Sequence, residues 1–159
     1  RLKAIILLAV DSGMRRGEIL KLRWSDIDFE QGKINIIGSH TKTERERDAP
    51  LSLRSKLALI KVRELFPLDE KPFPLTDIKT GWRTAVDLAD IKELQFRDLR
   101  TTAITRWQKM GLPQAFAGKI AGHANSKTTQ KYYTVVDAET TATFTHAMNQ
   151  HHAESEYVN

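Results

Sequence analysis

Gly122-His123-Ala124-Asn125-Ser126-Lys127-Thr128-Thr129-Gln130-Lys131-Tyr132-Tyr133 sets a Gly-His pair nine residues ahead of a tyrosine, in a segment rich in threonine and lysine. An imidazole can donate a hydrogen bond or exchange a proton near neutral pH, and a phenol can act as a covalent nucleophile. Alone, the stretch is better read as holding two packed or interfacial tyrosines. Its meaning depends on what the rest of the chain brings to it.

The chain has 159 residues and 40% hydrophobic content, enough for one domain with a real core. Its net charge is +5, and its pI of about 9.5 favours a polyanionic partner. The absence of cysteine excludes disulfides, thiolate metal sites and a cysteine nucleophile. The apolar run Ala4 to Val10 is too short to span a bilayer and has no cleavage-site pattern after it. Arg1 opens directly into a helical pattern, so we expect a piece of a longer protein.

Upstream of the opening stretch, Leu2 to Val10 reads as a buried helix broken by Asp11-Ser12-Gly13, with Ser12 or Gly13 capping the next helix. Arg15 to Leu22 reads as that second helix, with Ile19, Leu20 and Leu22 inward. Ile27 and Phe29, then Ile34 and Ile36, alternate with polar residues around Gln31-Gly32, a hairpin signal. After a polar excursion through Lys42, Asp48-Ala49-Pro50-Leu51 adds an edge strand. Ser52 to Phe66 is an amphipathic helix, with Leu53, Leu57 and Ile60 and with Ala58, Val62 and Leu65 on its apolar face. Residues 67–75 hold three of the five prolines and read as a connector. Thr76 to Ala89 is a helix packed through Ile78, Trp82, Ala85, Val86 and Leu88. Arg97-Asp98-Leu99-Arg100 opens another, running to about Met110, with Leu99, Ala103, Ile104 and Trp107 buried. A short helix over Gln114 to Ala121 ends where Gly122-His123 turns the chain. Asn125 or Ser126 can cap a helix over Lys127 to Tyr133. Ala138 to Met148 is a final helix, poor in large apolar residues and suited to docking on a neighbour. A frayed tail is expected from Asn149. The expected fold is mainly α, with a small three-stranded antiparallel sheet in the N-terminal third.

Four islands upstream or within the opening stretch carry chemistry. Arg15 and Glu18 share a helix face, ordinarily the mark of a surface ion pair. Lys42, ordinarily just a solvated turn lysine, is a cation that can also give up a proton. Arg97 and Arg100 project from the first turn of a helix, where backbone N–H groups already favour an anion; the plainer reading is two surface arginines beside Asp98. His123 and Tyr132 complete the set. No cluster of carboxylates suggests a Mg²⁺ site. Fixed arginines can stabilise phosphoryl transfer electrostatically.

In order and spacing the chain resembles the catalytic domain of the tyrosine recombinases, the phage integrase family. Ser12-Gly13-Met14-Arg15-Arg16-Gly17-Glu18 resembles that family's first-arginine box, (Thr/Ser)-Gly-x-Arg-x-x-Glu. Thr41-Lys42-Thr43 resembles its lysine loop, Asp98-Leu99-Arg100 its second-arginine box, and Ala121-Gly122-His123 with Thr128-Thr129-Gln130-Lys131-Tyr132 its Leu-Gly-His and Thr-Thr-x-x-Tyr ending. Arg97 stands where the second box usually has histidine, and Ala121 where the ending usually has leucine.

The resemblance implies the tyrosine recombinase catalytic-domain fold over 1–159, without its N-terminal DNA-binding domains, and with residues 135–159 docking on a neighbouring protomer. It implies that Arg15, Lys42, Arg97, Arg100, His123 and Tyr132 form the site, with Tyr132 as nucleophile and Glu18 in support. The nine-residue spacing from His123 selects Tyr132 over Tyr133. The implied activity is site-specific DNA cleavage and rejoining through a 3′-phosphotyrosyl link, with no cofactor, metal or ATP. Implied partners are double-stranded DNA carrying recombination sites, accessory DNA-bending proteins and further copies of the chain, monomeric when free and tetrameric on DNA. The implied setting is cytoplasmic and nucleoid-associated, with no membrane. Three other readings share the charge pattern: a non-catalytic DNA-binding relic, a DNA-relaxing enzyme like the type IB topoisomerases, and a helical regulator that binds DNA without cleaving it, which would leave the ordered motifs as coincidence.

Overall fold

The computed structural model describes residues 1–37, 46–122 and 138–156, with side chains from 144 to 153 in the last stretch. Seven helices and one sheet are found among them. The first helix, α1 (Leu2–Ser12), buries Ala4, Ile5, Leu8 and Ala9. It runs past the expected break because Asp11 and Ser12 both find partners inside. Ser12 Oγ donates to the Leu8 carbonyl at 2.6 Å. The Asp11 carboxylate accepts from Ser52 Oγ at 2.5 Å, from Ser55 Oγ at 3.2 Å, and from the Arg54 guanidinium. The stop falls at Gly13, whose φ of 63° suits glycine. A Cβ there would also lie 2.8 Å from the Trp107 ring.

After α2 (Arg16–Lys21) and a 3₁₀ turn at Trp24–Asp26, three short strands form an antiparallel sheet of order β1-β2-β3: β1 (Ile27–Asp28), β2 (Lys33–Ile36) and β3 (Arg47–Pro50). Ile34 faces Ile27 on one side and Ala49 on the other, and all three are buried. Pro50 sits on an edge strand, as its missing N–H requires. The expected mainly α fold with a three-stranded antiparallel sheet is the observed one.

The helix α3 (Leu53–Leu65) is capped by Ser52, whose Oγ accepts from the Ser55 amide at 3.2 Å. Its buried face is Ser55, Leu59 and Val62. Leu53, Leu57 and Ile60, expected inside, are 55%, 57% and 38% exposed, and Leu65 is 59% exposed. Asp11 accounts for the rotation: a buried carboxylate on α1 needs donors, and turning Ser52 and Ser55 toward it turns the Leu53–Leu57–Ile60 stripe outward. The connector also does more than link, since Phe73 within it is fully buried. In α4 (Lys79–Leu88), Trp82 packs edge-on against Phe96 at 5.1 Å. Leu88, expected as a packing residue, is 84% exposed. Six residues on from Trp82, it lies about 120° round the helix from the packed edge.

The second core cluster joins α5 (Phe96–Lys109), α6 (Gln114–Ala121) and α7 (Ala138–Glu156) through Ala103, Trp107, Ala117, Ile120, Ala121 and Phe144. Leu99, Ala103 and Trp107 are buried as expected, with Ile104 partly so. The last helix extends beyond Met148 into the expected frayed tail. It is held to its own chain: Phe144 meets Trp107 edge-on at 5.7 Å, and Met148 is buried. Farther along, Asn149 Oδ1 accepts from the Leu53 amide at 2.8 Å, and His152 lies 3.8 Å from Asp11. Few apolar residues suffice because polar contacts to α1 and α3 secure its C-terminal half.

The rotation of α3 is testable by urea unfolding. Leu59→Ala should lower stability by about 2–5 kcal/mol, and Leu57→Ala should change it by no more than about 0.5 kcal/mol. The reverse order would put the expected stripe inside.

Candidate functional site

The α1–α2 junction creates the site. Gly13 turns the chain so that Arg15 becomes the N-cap of α2 in extended conformation, with φ −72° and ψ 149°. Glu18, at the third helical position, accepts the Arg15 amide at 2.8 Å. That local bond fixes a carboxylate beside the arginine, and the sequence alone goes no further. The structure adds burial, because the Glu18 side chain is only 2% exposed. The pair is therefore not the ordinary surface kind: its carboxylate is buried, while the Arg15 side chain stays 35% exposed.

Two guanidiniums converge on that carboxylate. Arg15 Nη1 donates to Oε1 at 3.0 Å. Arg47, at the start of β3, donates from Nη2 to Oε2 at 2.8 Å and from Nη1 to Oε1 at 3.2 Å, the fork arrangement of a bidentate pair. Both arginines also hold the end of α6. Arg15 Nη2 donates to the Gly122 carbonyl at 2.8 Å, and Arg47 Nε to the Ile120 carbonyl at 2.9 Å. Gly122 has φ 76°, and a Cβ on it would lie 2.8 to 2.9 Å from the Arg47 guanidinium. The end of α6 approaches this closely only through glycine.

Arg100 joins from α5. Its Nη1 donates to the Gly13 carbonyl at 2.7 Å, while its buried Nη2 has no acceptor among the described residues. Two guanidiniums thus pair with one carboxylate and a third lies within reach of its charge, leaving an excess of positive charge. Burial, and after it the charges of Arg15 and Arg47, lower the Arg100 pKa to about 10 against the opposing pull of Glu18. It stays protonated at neutral pH. For Glu18, burial pushes the carboxyl pKa up, but the Arg47 hydrogen bond and charge and the Arg15 backbone and side-chain bonds outweigh it, so the net shift is downward from 4.5.

Arg15 and Arg100 open into a cleft of about 450 Å³, which exposed Arg97 and Arg16 also line, with Phe96 beside them. Asp98, next to Arg97 in the chain, caps α5 by accepting the Gln95 amide at 2.8 Å. A wider, more open depression of about 750 Å³ lies over residues 86–95, lined by Asp87, Asp90 and Glu93 with Lys92, a mostly acidic set. Of these two, the arginine cleft has the chemistry of an anion site. No group of three or more His, Asp or Glu that could hold a metal occurs among the described residues.

Of the expected site residues, the fold brings together Arg15, Glu18, Arg97 and Arg100. Lys42, His123, Tyr132 and Tyr133 lie outside the described residues, as does the helix expected over Lys127 to Tyr133. Arg47 was missed. It belongs to the charged run Glu44-Arg45-Glu46-Arg47, which reads as a solvated excursion. The available signal was period-two alternation: Arg47 lies two residues before buried Ala49, and so on the inward face, opposite Ile36.

Residues 1–139 match the Phage integrase family. This chain belongs to that family. Among curated relatives, the shufflon-specific DNA recombinase of Escherichia coli is 33% identical over 136 residues, which are 82% of this chain and 34% of the relative. Tyrosine recombinase XerA of Saccharolobus solfataricus is 33% identical over 132 residues, 82% of this chain and 44% of the relative. The phage integrase family member described here therefore spans a third to a half of the length of these relatives. A crystal structure of XerA recombinase superposes with a TM-score of 0.69 at 26% identity, covering 92% of this chain and 57% of that one. A lambda integrase dimer bound to a core site superposes at 0.61 with 21% identity, over 86% of this chain and 54% of that one, a likeness of fold. Among the described residues no helix is long and apolar enough to cross a membrane.

Glu18→Gln should lower stability at neutral pH by about 3 kcal/mol, because it leaves buried guanidiniums without their counter-charge. Since the folded-state pKa is depressed, the stabilisation from Glu18 is fully present above about 4.5 and is lost as pH falls through the folded value. Chemical unfolding of both proteins across acidic pH should show the gap between them closing below pH 4.5. A gap independent of pH would contradict the assignment.

Proposed function

We propose that this chain is the catalytic domain of a site-specific DNA recombinase or integrase, cutting and rejoining DNA through a 3′-phosphotyrosyl link to Tyr132 without metal or ATP. One observation carries the reading. Arg100, which keeps a buried N–H without an acceptor among the described residues, lines an arginine-rich cleft together with Arg15, which Glu18 and the Gly122 carbonyl hold in place. Such preorganised donors suit a phosphate whose negative charge is redistributed during transfer. The names of the relatives, DNA recombinases and integrases, support the substrate class.

In this mechanism Arg15 and Arg100 grip the non-bridging oxygens of the scissile phosphate. The Tyr132 phenol loses its proton and attacks phosphorus, and the bond from phosphorus to the 5′-oxygen breaks. Lys42 gives the departing oxygen a proton, and His123 hydrogen-bonds the phosphate. A 5′-hydroxyl from a second duplex then attacks the phosphotyrosine, restoring a phosphodiester and releasing the phenol. The energy of the original bond is kept in the link, so no external energy source enters. Arg97 can bind a phosphate oxygen but cannot take the tyrosine proton, because a guanidinium offers donors and no acceptor. The whole protein then works as a tetramer on two duplexes with accessory DNA-bending proteins, and residues 135–159 dock on a neighbour. In the isolated chain, α7 packs in cis.

Trapping on a nicked duplex in chelator tests the reading. The unmodified protein and Tyr133→Phe should give an SDS-resistant adduct, and Tyr132→Phe should give none. Arg100→Ala should slow cleavage by roughly 10²–10³-fold. An adduct surviving Tyr132→Phe would refute the nucleophile; salt-sensitive DNA binding without any adduct would make the chain a non-catalytic binder.

A further inference from the structure

Arg47 donates three hydrogen bonds inside the protein, yet no part of the proposed chemistry uses it. Its side chain is 11% exposed. Its two terminal nitrogens are committed to Glu18 and its Nε to the Ile120 carbonyl, so it faces the protein and not the cleft. The three segments it joins are those that carry the site motifs. Its own strand begins five residues after Lys42, Glu18 shares α2 with the Arg15 cap, and Ile120 lies three residues before His123.

We propose that Arg47 is a positioning residue, which locks the lysine-bearing hairpin, the Arg15–Glu18 pair and the end of α6 into one frame. The inference rests on the catalytic reading above. Each of the two Glu18 oxygens receives one N–H from Arg15 and one from Arg47. With the Arg47 fork gone, the carboxylate is free to turn and take the Arg15 side chain in its own bidentate grip. That would draw Arg15 away from the Gly122 carbonyl and from the cleft. The Ile120 carbonyl would lose its donor at the same time.

Geometry, not charge alone, is what this role needs. Three N–H groups in one rigid plane reach two carboxylate oxygens and a carbonyl; a lysine ammonium has the charge but not the fork. The glycine at 122 points the same way. A Cβ there would collide with the guanidinium, so the close seat of α6 on Arg47 is built into the backbone.

Two variants of the full protein test this: Arg47→Lys, and the double variant Glu18→Gln/Arg47→Met, which leaves no buried carboxylate unpaired if the single change unfolds the chain. Each is assayed for single-turnover cleavage of the nicked duplex, DNA affinity, cooperative melting and amide exchange at Gly122. Both should cleave about 100-fold more slowly, the scale of a misplaced catalytic group, with DNA affinity within about threefold and melting still cooperative. Exchange at Gly122 should quicken in both. Cleavage by Arg47→Lys at the unmodified rate would overturn the proposal, as would a parallel loss of cleavage and DNA affinity, which would make Arg47 a simple DNA contact. If the unmodified protein itself forms no adduct, the catalytic reading fails; quickened Gly122 exchange would then still uphold the frame, and unchanged exchange would overturn that too.

Discussion

A single carboxylate, Glu18, with 2% of its side chain exposed, is what the site's geometry hangs on. Isolated in the interior it would be costly, and two guanidiniums offset that cost only in the observed arrangement. Arg15 comes from the same helix and is close by construction. Arg47 comes from the sheet, so satisfying Glu18 docks β3 against α2. Both arginines then donate to the last carbonyls of α6, which docks the C-terminal cluster as well. With two cations paired to one anion and a third close by, the assembly carries excess positive charge, and Arg100 adds a donor with no protein acceptor among the described residues. The contacts that satisfy Glu18 also set Arg15, which lines the cleft.

A second buried acid organises the packing of α3. Asp11 draws Ser52, Ser55 and Arg54 of the α3 region inward and has His152 of α7 beside it. The consequence is an α3 turned so that serines face the core and leucines face solvent. Neither acid would be placed inside by hydropathy, and each fixes a helix orientation that hydropathy gets wrong or leaves open.

How much of the fold is legible in the chain depends on how local the causes are. Helices α1, α5 and α6 were legible because their buried residues repeat at helical spacing and glycine ends them at Gly13, Gly111 and Gly122. The hairpin was legible from alternation around Gln31-Gly32. The orientation of α3 was not, since it depends on Asp11, over forty residues upstream. Leu88 misled because an apolar residue near a helix end need not lie on its packed edge. The full length of α7 was hidden because polar contacts with distant residues hold its second half. In the site, Arg15, Glu18, Arg97 and Arg100 were legible through short motifs, and the fold gathers them around one cleft. Arg47 was not, because a charged strand residue beside a charged loop declares its burial only through its partner.

The central claim is that this cleft holds a scissile phosphate for attack by one particular phenol. The most direct measurement is proteolysis of the DNA adduct formed in chelator, with mass mapping of the nucleotide-bearing peptide. A 3′-linked nucleotide on Tyr132 is the predicted result. A link at Tyr133, at another side chain, or through a 5′-phosphate would contradict the account.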